Sequence, residues 1–221
     1  MRISLVVIVL SGLCLALPQA ARSAPILDQA FVPTTGQAFM HAQIRDGLDR
    51  AQTFTVGMAG VLSGFEVLLS SSGVSAGEVT FEIYPTIGGV PNLAATPLAS
   101  AAVTFLGDQD APAFYGADVS SFGLIVNPGE VYALAVQPEG ADEATWRGEY
   151  DSAGAWVLHY AGGAAYGPTF TSSFGELGGA LGFRTYVDPG GASPVPEPSS
   201  LLLLGSGLAG LGRFGWKRRR A

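Results

Sequence analysis

Val79-Thr80-Phe81-Glu82-Ile83-Tyr84 alternates apolar and polar side chains with period two and then meets Pro85. Successive side chains of a strand point to opposite faces, so such a run is half buried and half solvated. The run is expected to stop at Pro85, which has no N–H to give to a sheet ladder. Gln52-Thr53-Phe54-Thr55-Val56 repeats the pattern and stops at Gly57. Runs at 62–69, 98–105, 113–119, 131–136, 145–150, 156–160 and 181–187 behave likewise, rich in Val, Phe, Tyr, Trp and Thr and flanked by Gly, Pro, Asn or Asp. Asn127-Pro128-Gly129-Glu130, just before Val131, is the clearest hairpin turn. Residues 24 to about 50 are less patterned and suit a first edge strand or a lead-in loop. No amphipathic helix stands out and no repeat is visible. The expected fold is all-β: an antiparallel β-sandwich of jelly-roll type over residues 24–188.

Both ends differ from this body. Met1-Arg2 is a short positive segment, followed by a mostly apolar run at 3–17. That run has the length of a signal-peptide core and is short for a stable membrane span. Ala21-Arg22-Ser23 ends in a small-x-small pattern, so residues 1–23 read as a signal peptide cut after Ser23. The Sec translocon and signal peptidase are the partners this implies. The one cysteine, Cys14, lies inside the signal. The mature chain then has no thiol, disulfide or thiolate metal site, and its own core must stabilise it.

Charge separates the segments further. Of 11 basic residues, Arg2 and Arg22 fall in the signal, and Arg213, Lys217, Arg218, Arg219 and Arg220 fall in the tail. Arg45, Arg50, Arg147 and Arg184 remain in the body, against 17 of the 18 acidic residues (all but Glu197), which leaves a net charge of −13. Such a surface repels phosphate backbones, which excludes nucleic acid as a partner.

Residues 189–194, Pro-Gly-Gly-Ala-Ser-Pro, lose every large apolar side chain and read as an extended tether. Val195-Pro196-Glu197-Pro198 follows, then the Leu- and Gly-rich stretch within 199–216, then Lys217-Arg218-Arg219-Arg220. The prolines set where a helix can begin. Residues 199–216, as one helix, would reach roughly 27 Å, enough for a thin bilayer. Arg213 interrupts the span and would snorkel to the interface, Trp216 suits the membrane interface, and the basic cluster keeps the terminus cytoplasmic. The tail is thus expected to be a stop-transfer transmembrane helix with the body on the far side.

This order of motif, apolar span and basic cluster closely resembles the PEP-CTERM sorting signal of Gram-negative bacteria. The resemblance implies processing by an exosortase-type membrane enzyme and delivery from the inner membrane to the cell surface or an extracellular polysaccharide matrix. The same tail module also goes under an ice-binding-protein C-terminal heading, which describes the tail and implies no ice binding. More loosely, residues 51–56, 128–134 and 182–187 resemble β-sandwich domains that precede such tails, to which no reaction attaches.

Chemistry is sparse. No Ser-x-x-Lys occurs. His41 and His159 alone cannot make a zinc site, which wants three or more ligands. Asp108-Gln109-Asp110 is a weak calcium candidate, because Ala111-Pro112 stands where a further ligand would be wanted. Trp146, Tyr150, Trp156 and Tyr160 lie close in sequence. In period two, Trp146 and Tyr150 share one face, and Trp156 and Tyr160 share another. They could form a flat platform for sugar rings, or one or both pairs could fill the core; if Trp156 is core and Trp146 exposed, truncating the two should differ sharply in cost. The reading is a non-catalytic, cofactor-free surface or matrix protein, with a carbohydrate-binding module as the alternative and a surface glycan hydrolase behind it.

Overall fold

The computed structural model describes residues 24–33, 39–44, 50–71, 77–106, 111–138, 144–149, 160–168 and 174–190. Among them the chain makes β1 (Ile26–Phe31), β2 (Phe39–Ile44), β3 (Arg50–Thr55), β4 (Gly60–Ser71), β5 (Gly77–Ile87), β6 (Val90–Pro91), β7 (Ala99–Phe105), β8 (Ala113–Asp118), β9 (Ile125–Val126), β10 (Val131–Pro138), β11 (Ala144–Glu149), β12 (Ala165–Pro168), β13 (Phe174–Glu176), β14 (Ala180–Leu181) and β15 (Phe183–Asp188). A short 3-10 turn, Ser120–Phe122, joins β8 to β9. All pairings are antiparallel and divide into two sheets. One runs β1-β15-β4-β11-β14, with β8 and β9 on β4 and with β2 on β11; the other runs β13-β12-β3-β10-β5-β6, with β7 on β5.

The alternation that marks the strands also builds the core. Val79, Phe81 and Ile83 of β5, Phe54 of β3 and Leu134 of β10 face Leu62, Phe65 and Val67 of β4 and Phe183 of β15. Phe65 and Phe81 meet across the sheets at 5.7 Å, and Phe54 and Phe183 at 6.1 Å. Each such ring contributes about 1.5–3 kcal/mol by leaving water. The polar partners turn outward, so the pattern read locally becomes two sheets with a shared apolar interior.

Three departures from the sequence reading have physical causes. β5 runs through Pro85 to Ile87, because Pro85 stands opposite Tyr132 where β10 is beginning and little ladder remains to be broken. The Asn127–Glu130 turn forms as expected, with Glu130 N–H donating to the Asn127 carbonyl at 3.1 Å and Gly129 at a φ of 88°. It is not a hairpin, however: β9 belongs to the first sheet and β10 to the second, so the turn carries the chain between sheets. The run at 181–187 breaks at Gly182, where β14 pairs with β11 and β15 pairs with β4.

Gly182 is a junction of three strands. Its carbonyl accepts the Leu68 backbone N–H of β4, and its own N–H donates to the Arg147 carbonyl of β11. A side chain there would press on Leu68 and Pro33. The edge of β4 is therefore shared, with β15 covering its first part and β11 its last.

Candidate functional site

The aromatic residues proposed as a platform are divided by the structure. Trp146 is fully buried, and its indole N–H donates to the Gly182 carbonyl at 2.9 Å. The platform reading of Trp146 is thus corrected in favour of its core-filling alternative: Ala144 and Trp146 turn inward, and the indole fills the space beside the Gly182 junction. Tyr160 is also buried; its ring meets Phe183 edge-on at 5.1 Å and its hydroxyl donates to Gln29 Oε1 at 3.2 Å. Burial pushes the Tyr160 phenol up to about 12, and the nearby Asp28 charge adds to the rise. These two side chains serve the core and cannot stack on a sugar. Tyr150 and Trp156 lie outside the described residues, as do Asp108, Asp110 and His159, the Val195-Pro196-Glu197-Pro198 motif and the Lys217–Arg220 cluster. The side chain of His41 is likewise not described.

A different surface constellation does assemble, on the outer face of the first sheet. Glu66 of β4 pairs in register with Arg184 of β15 on one side and Gly116 of β8 on the other. Its Oε2 accepts from Arg184 Nη1 at 3.0 Å and from the Tyr186 hydroxyl at 2.9 Å. The Arg184 guanidinium lies 3.8 Å over the Phe114 ring. Burial and the Glu66 carboxylate both hold the Tyr186 phenol above its usual range. Alternation in Arg184-Thr185-Tyr186 puts Arg184 and Tyr186 on one face, which the sequence could reveal. Glu66 is 118 residues away, so only the sheet order brings it there.

The outer face of the second sheet is closed in a different way. Ala51, Ala133 and Ala135 make a floor of small residues that Tyr84 and Tyr166 cover, with Leu93 and Ala164 packed beside them. Tyr166 stacks on Phe174 with ring centroids 6.3 Å apart and 18° between planes.

Other chemistry is thin. Among the described residues, no group of three or more His, Cys, Asp or Glu side chains is placed to hold a metal. Glu149 is buried, as is Arg147, whose Nε donates to Ser70 Oγ at 2.6 Å. Sequence inspection also overlooks Gly73-Val74-Ser75-Ala76-Gly77, which has the Gly-x-Ser-x-Gly spacing of a hydrolase nucleophile elbow. That elbow requires a strand-to-helix turn; here the segment joins β4 to β5, and Ser75 lies outside the described residues.

Comparison with known proteins bears on the tail. Residues 194–220 match the family model of the PEP-CTERM protein-sorting motif. No match is found among curated proteins. The chain therefore carries a PEP-CTERM sorting motif next to a body of two antiparallel sheets.

Proposed function

We propose that this chain is a non-catalytic exported protein of the cell surface or extracellular matrix, sorted by an exosortase-type system and associated with exopolysaccharide. The match of residues 194–220 to the sorting motif supports the export and sorting part of this reading. Residues 1–23 direct the chain through the Sec translocon and are removed by signal peptidase. The span at 199–216 then halts transfer, and Lys217–Arg220 keep the end inside. Pro196 and Pro198 hold Glu197 out of the helix, so the motif stays extended beside the bilayer where a membrane enzyme can reach it. The body, taken as a β-sandwich of jelly-roll type over 24–188, is the cargo. Its acidic, cysteine-free composition supports a domain that stays soluble outside the cytoplasm without a disulfide.

The test is the mass of the mature C-terminus in membrane and extracellular fractions of the producing cell. A surface protein that ends before Ser199 supports sorting with cleavage. Surface protein that retains Ala221 makes the tail a plain anchor and ends the proposal.

A further inference from the structure

Ten large apolar side chains are left exposed among the described residues, and they are unevenly placed. Six of them, Ile26, Leu27, Ile87, Val90, Phe122 and Ile125, each between 48% and 70% exposed, collect at one end of the two sheets; the other four are Val32, Leu98, Leu106 and Phe174. In the first sheet the exposed Ile26 pairs with the buried Val187, Val187 with the buried Leu62, and Val61 with the exposed Ile125, so a row of strand ends crosses β1, β15, β4 and β9 and is apolar at both of its sides. At about 4.8 Å per strand the row spans roughly 15 Å. Leu27 is the next residue of β1, and Phe122 ends the turn that leads into β9.

The second sheet brings the rest. β3 ends at Thr55 and the chain enters β4 five residues later, so these two strand ends are neighbours. Val131 of β10 stands opposite Thr55, and Pro85 of β5 stands opposite Tyr132. The Ile87-Gly88-Gly89-Val90 tip, whose glycines have φ of 60° and 84°, therefore projects from this same end. Leu106 lies beyond Phe105, which pairs with Gly77 at the other end of β5.

The chain also leaves the body here, since Asp188 pairs with Val61 and Pro189 follows. We infer that this apolar end docks on the interfacial layer of a phospholipid bilayer while the tail holds the precursor. The inference rests on the reading of the tail given above. Eleven residues lead from Asp188 to Ser199, at most roughly 39 Å of extended chain. The tether thus keeps within reach of the membrane the very end that is apolar. Asp28, Asp118, Glu130 and Asp188 stand around this end, and the body has no lysine. The contact is accordingly apolar, indifferent to salt, and weakened by anionic lipid. Six partly inserted side chains bind weakly alone; the tether supplies the local concentration. Cleavage of the tail removes that advantage and frees the body.

The experiment uses the full chain carrying Cys14→Ser, with a fluorophore on Ile125→Cys or, as control, on the equally exposed Leu106→Cys. Each is reconstituted in phosphatidylcholine vesicles containing lipid brominated near the headgroup. The 125 probe is expected to lose about half its fluorescence or more, in molar salt as well, and the 106 probe to lose little. Phosphatidylglycerol in the vesicles should reduce the loss at 125. Protein that floats with the vesicles but quenches equally at both positions overturns the docking and leaves the tail reading standing. Protein that does not float overturns both.

Discussion

Trp146 and Gly182 are joined by a hydrogen bond from the indole N–H to the backbone carbonyl, 2.9 Å long and wholly buried. The bond fixes the largest side chain of the core to the point where β4, β11 and the β14–β15 segment meet. Trp146→Ala should cost about 3–5 kcal/mol, because it opens a cavity and removes that donor. Trp146→Phe should cost less, since the Gly182 oxygen keeps the Leu68 N–H. Urea unfolding of the three proteins measures both; a near-neutral Trp146→Ala would contradict the packing.

Gln52 links the sheets. Its Oε1 accepts the Leu181 backbone N–H at 2.8 Å, and its Nε2 donates to the Thr53 carbonyl at 2.9 Å, all in the interior. Gln52→Leu leaves the Leu181 N–H buried without its acceptor, and a loss of about 1–3 kcal/mol is expected. Hydrogen exchange at Leu181 should accelerate more than exchange in β5.

The Tyr160 phenol gives a signature at high pH. Its folded value of about 12 lies above the ordinary 10, so the folded state favours the neutral ring. That preference is fully present below pH 10 and is lost as pH rises from 10 through 12, amounting to about 2–3 kcal/mol at most. Tyr160→Phe should lose less stability than the wild type between pH 9 and 12 in denaturant titrations. Identical slopes would show that the ring is not sequestered.

The Glu66–Arg184 pair is half-exposed, so solvent screens it and its coupling should be modest, about 0.5–1 kcal/mol in a double-mutant cycle. Arg184→Lys should not restore the wild-type value, because an ammonium reproduces neither the flat contact over Phe114 nor the guanidinium bond geometry. Thermal melts at low and high salt check both statements.

On the proposed reading of the tail, replacing Pro196-Glu197-Pro198 by three alanines should leave an uncleaved, membrane-bound precursor, because a helix beginning at Ser199 would no longer be stopped from extending through the motif. Neutralising Lys217–Arg220 should instead let the precursor slip outward unprocessed. Mass spectrometry of the C-terminus in each fraction separates the two outcomes.

The strands were legible where a single segment decides them. Val79, Phe81 and Ile83 alternate within one strand, and no distant residue is needed to see it. β1 was blurred because it is an edge strand with a register shift between Leu27 and Gln29, so its two faces lose their contrast. What depends on sheet order was not legible. Nothing near Asn127 says that β9 and β10 part into different sheets, and nothing near Trp146 says that its outward neighbours Thr145, Arg147 and Glu149 are buried as well. The sorting motif was readable because its recognition is sequential, while Glu66, Arg184 and Tyr186 become neighbours only through pairing.

The position of β15 bears on how the chain is made. The last strand of the body sits between the first strand, β1, and β4, so the larger sheet has a gap until residue 188 has crossed the membrane. A chain emerging N-terminus first must wait with β1 and one edge of β4 unpaired, and must then close a loop nearly as long as the body itself. Such closure is slow, and open edges attract other chains. Truncation before β15 should therefore yield aggregates.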